Sequence, residues 1–324
     1  MMPEALVEIN DLVINFYTYR GVVKAINGVN LEIKKGEFFG LVGETGCGKS
    51  VTGSAILNLV PNPGRIDKGE IIFKGKDILS MDEDDVRERI RGKEITMIMQ
   101  HPIAALNPVL KNGDQITEAL SRKMSKGAAK KRAIELLKEV NIPEPEKIAN
   151  QYPHQLSGGM AQRVMIAMML ATEPSLLIAD EPTTALDVSI QAQVLSLLQD
   201  LIKRHKASVL LITHDLSIVA ETCDRVGVMY AGDIVEVGEV DQIINNPRHP
   251  YTVGLMRAIP SDSRKELVGI KGSVPDLVNP PTGCRFHPRC EYARDICKEE
   301  KPITIEVEGS HTTACFLYEG GLRG

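Results

Sequence analysis

Up to about residue 240, short β-branched apolar runs alternate with longer stretches of helical period. Phe38-Phe39-Gly40-Leu41-Val42, Ile95-Thr96-Met97-Ile98-Met99, Ser175-Leu176-Leu177-Ile178-Ala179 and Ser208-Val209-Leu210-Leu211-Ile212 are almost continuously apolar. A parallel strand buried on both faces has this character, and its alternation with helices predicts an α/β sheet with covered faces. Between Gln100 and Gln155 no such strand occurs. Ala133, Leu136, Leu137 and Val140 recur there at i, i+3, i+4, i+7, an amphipathic helix within an all-helical insert that Pro143 and Pro145 are expected to stop. Beyond residue 245 the periodicity weakens. Eight of the 18 prolines stand at or after Pro247, and four of the six cysteines fall in the last 41 residues. This shift predicts a boundary near residue 245 and a tail stabilised by something other than a hydrophobic core.

Length and charge narrow the classes. The 324 residues accommodate one large domain and a smaller one. Lys and Arg number 38 against 43 Asp and Glu, a net charge of −5, and seven Tyr and six Phe with no Trp leave few stacking platforms. Nucleic acid is therefore not the expected partner. The longest apolar run, Val164 to Ala171, is eight residues, against about 20 for a membrane span. The first residues lack the basic start and apolar stretch of a secretory signal, so a cytosolic protein with reduced thiols is expected.

Chemistry concentrates in four places. Gly43-Glu44-Thr45-Gly46-Cys47-Gly48-Lys49-Ser50 fits G-x-x-x-x-G-K-[ST], after a strand ending at Val42 and before a helix starting near Val51. Its glycines let backbone N–H groups turn inward around phosphates, and the helix N-terminus adds positive partial charge. Lys49 then neutralises β- and γ-phosphates and Ser50 ligates Mg²⁺, while Cys47 occupies a variable position with no chemical role. Leu176-Leu177-Ile178-Ala179-Asp180-Glu181 brings two carboxylates to the sheet's C-terminal edge, Asp180 for Mg²⁺ through its water shell and Glu181 as general base. Ser157 caps a helix opened by Gly158 and Gly159, a second anion site aimed at a nucleotide held by a partner chain. His214, after a strand, can hydrogen-bond a γ-phosphate.

Together these residues resemble the ATP-binding subunits of ABC transporters, in the dipeptide/oligopeptide importer branch, over the whole chain. Gly43–Ser50 resembles the Walker A loop, Gln100 the Q-loop glutamine, Leu156-Ser157-Gly158-Gly159-Met160 the signature, Ile178–Glu181 Walker B, Ala185-Leu186-Asp187 the D-loop and His214 the H-loop. Met160 and Asn107-Pro108 fit the peptide branch; Ala161 departs from its usual Arg. The resemblance implies an ABC-type P-loop nucleotide-binding domain with a RecA-like core, an antiparallel β subdomain and a helical subdomain. This domain occupies 1–245, with the insert at about 101–160, and a Cys-rich extension occupies 246–324. Two such subunits would close head-to-tail on ATP, with Glu181, His214, Gln100 and Lys49 catalytic and Ser50, Gln100 and Asp180 around Mg²⁺. ATP would contact residues 43–50, Val51, and Ser157, Gly158 and Gly159 of the partner. An aromatic should stack on adenine; Tyr17 and Tyr19 share one face of an extended strand, and Tyr19 is favoured. The implied partners are two transmembrane permeases, an extracytoplasmic peptide-binding protein, and a related ATPase subunit or a second copy. Ser50-Val51-Thr52 resembles the first of two different subunits, hence a heterodimer. The implied station is the cytoplasmic face of the cell membrane. Nickel importers share this architecture. Soluble relatives in DNA repair or translation carry coiled coils, large inserts or paired domains that 324 residues do not accommodate, and a small-molecule kinase leaves Leu156–Met160 unexplained.

The tail segment around Cys284, Cys290, Cys297 and Cys315 resembles the importer branch's C-terminal extension. Four thiols where little core is expected favour a metal centre that contributes folding energy. Their wide spacing lacks C-x₂-C pairs, which favours a [4Fe–4S] cluster over Zn²⁺, with free or adventitiously paired thiols as the remaining alternative. His287 and His311 are reserve ligands, though surface roles suit them better.

Overall fold

The structure, a computed structural model, describes residues 4–121, 123–183, 187–258 and 269–319. It divides into two compact units, Met1–Met81 with Ile212–Gly324, and Asp82–Leu211.

The first unit opens with an antiparallel hairpin, β1 (Ala5–Thr18) and β2 (Gly21–Lys34). Leu6, Val7, Ile9, Leu12 and Ile14 of β1 and Ala25, Ile26, Val29, Leu31 and Ile33 of β2 are buried. Next come β3 (Phe38–Val42), all five residues buried, and α1 (Lys49–Ile56). β4 (Gly64–Phe73) and β5 (Lys76–Asp77) complete a four-stranded antiparallel sheet of order β2-β1-β4-β5.

The second unit holds the expected helical insert. After the short α2 (Glu83–Asp85) and β6 (Ile95–Ile98) come α3 (Pro102–Ala105), α4 (Asn112–Leu120), α5 (Lys126–Glu139), α6 (Pro145–Ala149) and α7 (Gly158–Leu170). β7 (Leu176–Asp180), α8 (Val188–His205) and β8 (Ser208–Thr213) follow, with strand order β8-β7-β6. β6 and β7 are parallel, Ile95 opposite Leu176 and Ile98 opposite Ala179. Ala133, Leu136 and Leu137 are buried on α5 as the periodicity predicts. The prolines act differently from the expectation. α5 already ends at Glu139, where Asn141 turns at φ +55°, and Pro145 opens α6 at a position that needs no amide donor.

The chain re-enters the first unit within β8 and continues through α9 (Leu216–Thr222), β9 (Arg225–Tyr230), β10 (Asp233–Glu239), α10 (Val240–Asn245), α11 (Pro250–Ala258), α12 (Ile296–Glu299), β11 (Ile305–Glu308) and β12 (His311–Thr313). β3 and β9 are parallel while β9, β10, β12 and β11 run antiparallel in turn, a mixed sheet. The tail does have a core, contrary to the sequence expectation. Tyr251, Met256 and Phe286 join Val226, Val228 and Tyr230 in one buried cluster, with Tyr230, Tyr251 and Phe286 rings 4.6 to 5.4 Å apart. These large side chains are too widely spaced in sequence to register as periodicity, yet each aromatic buries more apolar area than an aliphatic would.

Candidate functional site

The phosphate loop leaves β3 at Val42 and enters α1 at Lys49. Two of its glycines are obligatory. Gly43 has φ +155°, and a Cβ there would lie 2.1 Å from the Met229 carbonyl oxygen; Gly48 has φ +111°, and its Cβ would meet Ile26 Cδ1 at 2.7 Å. Lys49, 5 % exposed, is held inside the loop, its ammonium donating to the carbonyls of Gly43 at 2.8 Å and Glu44 at 3.1 Å. Glu44 also accepts the Cys47 N–H at 3.2 Å, and Gly232 N–H donates to the Cys47 carbonyl at 2.8 Å. Burial pushes the Cys47 thiol up, consistent with a packing role. Thr45, Gly46 and Ser50 face outward, whereas Gly48 and Val51 are half-buried at the start of α1.

The remaining site residues of this unit stand at turns. His214 is exposed between β8 and α9, where the Asp215 carboxylate caps α9 by accepting the Ser217 N–H at 2.9 Å. Tyr19 is not on the strand: β1 ends at Thr18, and Tyr19 lies in the hairpin turn, 91 % exposed. Tyr17 donates its hydroxyl to Asp67 at 2.9 Å, with Arg65 over its ring. One tyrosine is therefore engaged in the sheet and the other projects from it.

In the second unit, β7 carries Asp180 at its end, and Glu181 follows at φ +45°, an unusual conformation for a residue with a Cβ. Gln100 donates from Nε2 to Glu181 Oε2 at 3.0 Å, so two residues 81 apart in sequence are brought together. Ser157 is the N-cap of α7, accepting the Met160 N–H at 3.4 Å, and Gly158 and Gly159 form the first turn. Arg163 fixes this helix by donating to the Val140 carbonyl at 2.9 Å and to Gln193 at 3.3 Å. Asp187 precedes α8, while Ala185 and Leu186 of the expected D-loop lie outside the described residues. Gln100 and Asp180 of this unit, like Ser50 of the first, are each hard oxygen donors of the kind that suits Mg²⁺.

The four tail cysteines converge, but not as a formed metal centre. Cys284, Cys290, Cys297 and Cys315 line one cavity of about 20 Å³ with His287 and Phe286. Burial pushes the Cys284 thiol up to about 12 and Cys315 up to about 11. Among the described residues no group of three or more His, Cys, Asp or Glu is set to hold a metal ion. The expected [4Fe–4S] site is therefore not supported among the described residues, and neither is a Zn²⁺ site. His311 is no reserve ligand: it is fully buried, its Nε2 2.7 Å from Glu236 Oε1.

Sequence reasoning missed what holds the loop from behind. The Glu44 N–H donates to the Tyr251 hydroxyl at 2.9 Å, and Arg289 donates to both Glu44 carboxylate oxygens, at 2.7 and 3.1 Å. Neither contact has a local signal, because 207 and 245 residues separate the partners.

Comparison with known proteins places the chain in a family. The family described as ABC transporter matches residues 26–184, and that described as "Oligopeptide/dipeptide transporter, C-terminal region" matches 235–297. The oligopeptide transport ATP-binding protein OppD of Bacillus subtilis is 54% identical over 318 residues, covering 96% of this chain and 88% of the relative. The dipeptide transport ATP-binding protein DppD of Escherichia coli is 44% identical over 315 residues, 96% of each chain. Among solved structures, the dimeric post-hydrolysis state of the ATP-binding cassette MJ0796, bound to ADP and Pi, superposes with a TM-score of 0.63 at 30% identity. It covers 72% of this chain and 98% of that one.

Proposed function

Because the chain belongs to the ABC transporter family, among the ATP-binding subunits of its oligopeptide/dipeptide branch, we propose that it binds and hydrolyses ATP to power import of dipeptides or oligopeptides through a membrane complex. The observation that carries this reading is the loop itself: Lys49, held by the Gly43 and Glu44 carbonyls, stands at the N-terminus of α1 in a turn that excludes any Cβ at Gly43. Such an ammonium, with loop N–H groups and the helix terminus, neutralises a triphosphate. Mg²⁺ supplies further charge neutralisation of the β- and γ-phosphates, with Ser50, Gln100 and Asp180 as its assigned holders. Glu181 takes the proton of the attacking water, and the Gln100 hydrogen bond orients its carboxylate. His214 holds the γ-phosphate, Tyr19 stacks on adenine, and residues 43–51 wrap the nucleotide. Ser157, Gly158 and Gly159 complete the site of a partner ATPase.

We assign the ATP chemistry to residues 1–245 and the branch-specific extension to 246–324. The partners are two permeases, a peptide-binding protein outside the membrane and, in our reading, a second and different ATPase subunit. No helix among the described residues is long and apolar enough to cross a membrane, which fits peripheral attachment at the cytoplasmic face. Met99, Ile103 and Val109, exposed apolar residues flanking Gln100 in sequence, are the side chains we assign to permease contact. A [4Fe–4S] centre on Cys284, Cys290, Cys297 and Cys315 is the finer reading of the extension. It rests on the convergence of the four thiols alone, and no step of hydrolysis runs through it.

The test is Glu181→Gln in the assembled transporter. ATP binding should persist while turnover falls about a hundredfold or more, within the range of general-base catalysis. Undiminished hydrolysis would remove Glu181 from its role.

A further inference from the structure

We propose that Arg289, from the C-terminal extension, is a positioning residue for the phosphate loop and acts through Glu44; this rests on the ATP reading of that loop. All five guanidinium donors are used. Nη1 and Nη2 form the fork on the Glu44 carboxylate; Nη1 also reaches the Tyr230 hydroxyl at 3.4 Å, Nε the Lys271 carbonyl at 2.9 Å and Nη2 the Ile270 carbonyl at 3.4 Å. The side chain is 5 % exposed, against 29 % for Glu44, so the extension provides the rigid end of the pair. A saturated, buried fork has one orientation available to it.

Glu44 transmits that orientation. Its carboxylate is held by Arg289 and its N–H by Tyr251, itself fully buried. Its carbonyl faces the other way, into the loop, where it accepts from Lys49 Nζ and Cys47 N–H. One residue thus joins the extension to the lysine that meets the phosphates. Charge gives a second reason for the pairing. A carboxylate at the second position of a loop that receives a polyanion repels it, and the guanidinium cancels that repulsion at a distance where Coulomb interaction is strong. The extension is then part of the nucleotide site as well as a branch-specific appendage.

The experiment measures KM for ATP, kcat and Tm on the full transporter. Arg289→Gln should raise KM about tenfold with kcat within about threefold and Tm within a few degrees. In a Glu44→Gln background the same change should move KM less than twofold, because the group through which Arg289 acts is gone. An unchanged KM in the first case, or the tenfold rise repeated in the second, overturns the proposal. If Arg289→Gln fails to fold, Arg289→Lys, which keeps the charge and loses the fork, should raise KM about threefold; a parental KM overturns it equally. ATP hydrolysis by the parent and its loss in Lys49→Ala test the functional reading separately: a parent without activity fails that reading, whereas an active parent indifferent to Arg289 fails only this one.

Discussion

Acid should unlatch the extension at His249. This side chain is 1 % exposed, its Nδ1 accepts the Tyr251 N–H at 3.1 Å, and its ring packs on Phe286 at 5.7 Å. The His249 backbone N–H donates to Glu236, whose carboxylate also accepts the Arg248 backbone N–H and lies 2.7 Å from His311 Nε2. Burial pushes the His249 pKa down to about 4, only partly opposed by the Glu236 charge. The fold therefore requires neutral imidazole. As pH falls through 6.5 the unfolded chain takes up the proton first, so stability is full above 6.5, declines down to about 4, and then levels off. A shift from 6.5 to about 4 corresponds to about 3 kcal/mol in full, and about 2 kcal/mol of it is lost between pH 7.5 and 5. With no Trp in the chain, circular dichroism in urea is the suitable assay, comparing the parent with His249→Asn, whose Oδ1 can accept the Tyr251 N–H in place of Nδ1. The parent should lose about 2 kcal/mol more than the variant over that interval. Parallel pH profiles, or a His249 ring resonance titrating near 6.5 by NMR, would refute the reasoning.

Two further outcomes can be measured directly. Gly43→Ala places a Cβ against the Met229 carbonyl, so the loop must shift; we expect ATP affinity to fall at least tenfold, and an unchanged dissociation constant would contradict the steric argument. Protein purified without oxygen should contain iron and sulfide if the four thiols hold a cluster, whereas zinc alone, or no metal, would reject the cluster reading.

The strands were legible because parallel strands buried on both faces are written as local apolar runs. Phe38–Val42 matches β3 residue for residue, and β6, β7 and β8 fall within one residue of their expected ends. The strand–loop–helix placement of residues 43–50 was equally legible, since its pattern is confined to eight consecutive residues. Tyr19 was misplaced because alternation continues on paper past Thr18, whereas the backbone turns at Tyr19-Arg20. The tail was misjudged for a related reason. Its stabilisation comes from Tyr251, Phe286 and the buried Glu236–His311 contact, which have no common period and meet only through the tertiary fold.

Short motifs record the residues that touch a ligand, because ligand geometry constrains neighbouring backbone positions together. They do not record what keeps those residues in place. Glu44 occupies a variable position of the loop pattern, and Arg289 reads in sequence as one more basic residue among cysteines. In the fold they form a two-point contact, and Tyr251 adds a third point on the same residue. Holding Glu44 by both its carboxylate and its amide leaves its carbonyl one direction to face, toward Lys49. If the loop were self-sufficient, none of these contacts would be needed, and the 246–324 segment could be lost without effect on nucleotide affinity. Because Arg289 and Tyr251, both in the extension, bear on Glu44, changes in the extension should register in ATP affinity before they register in the chemical step.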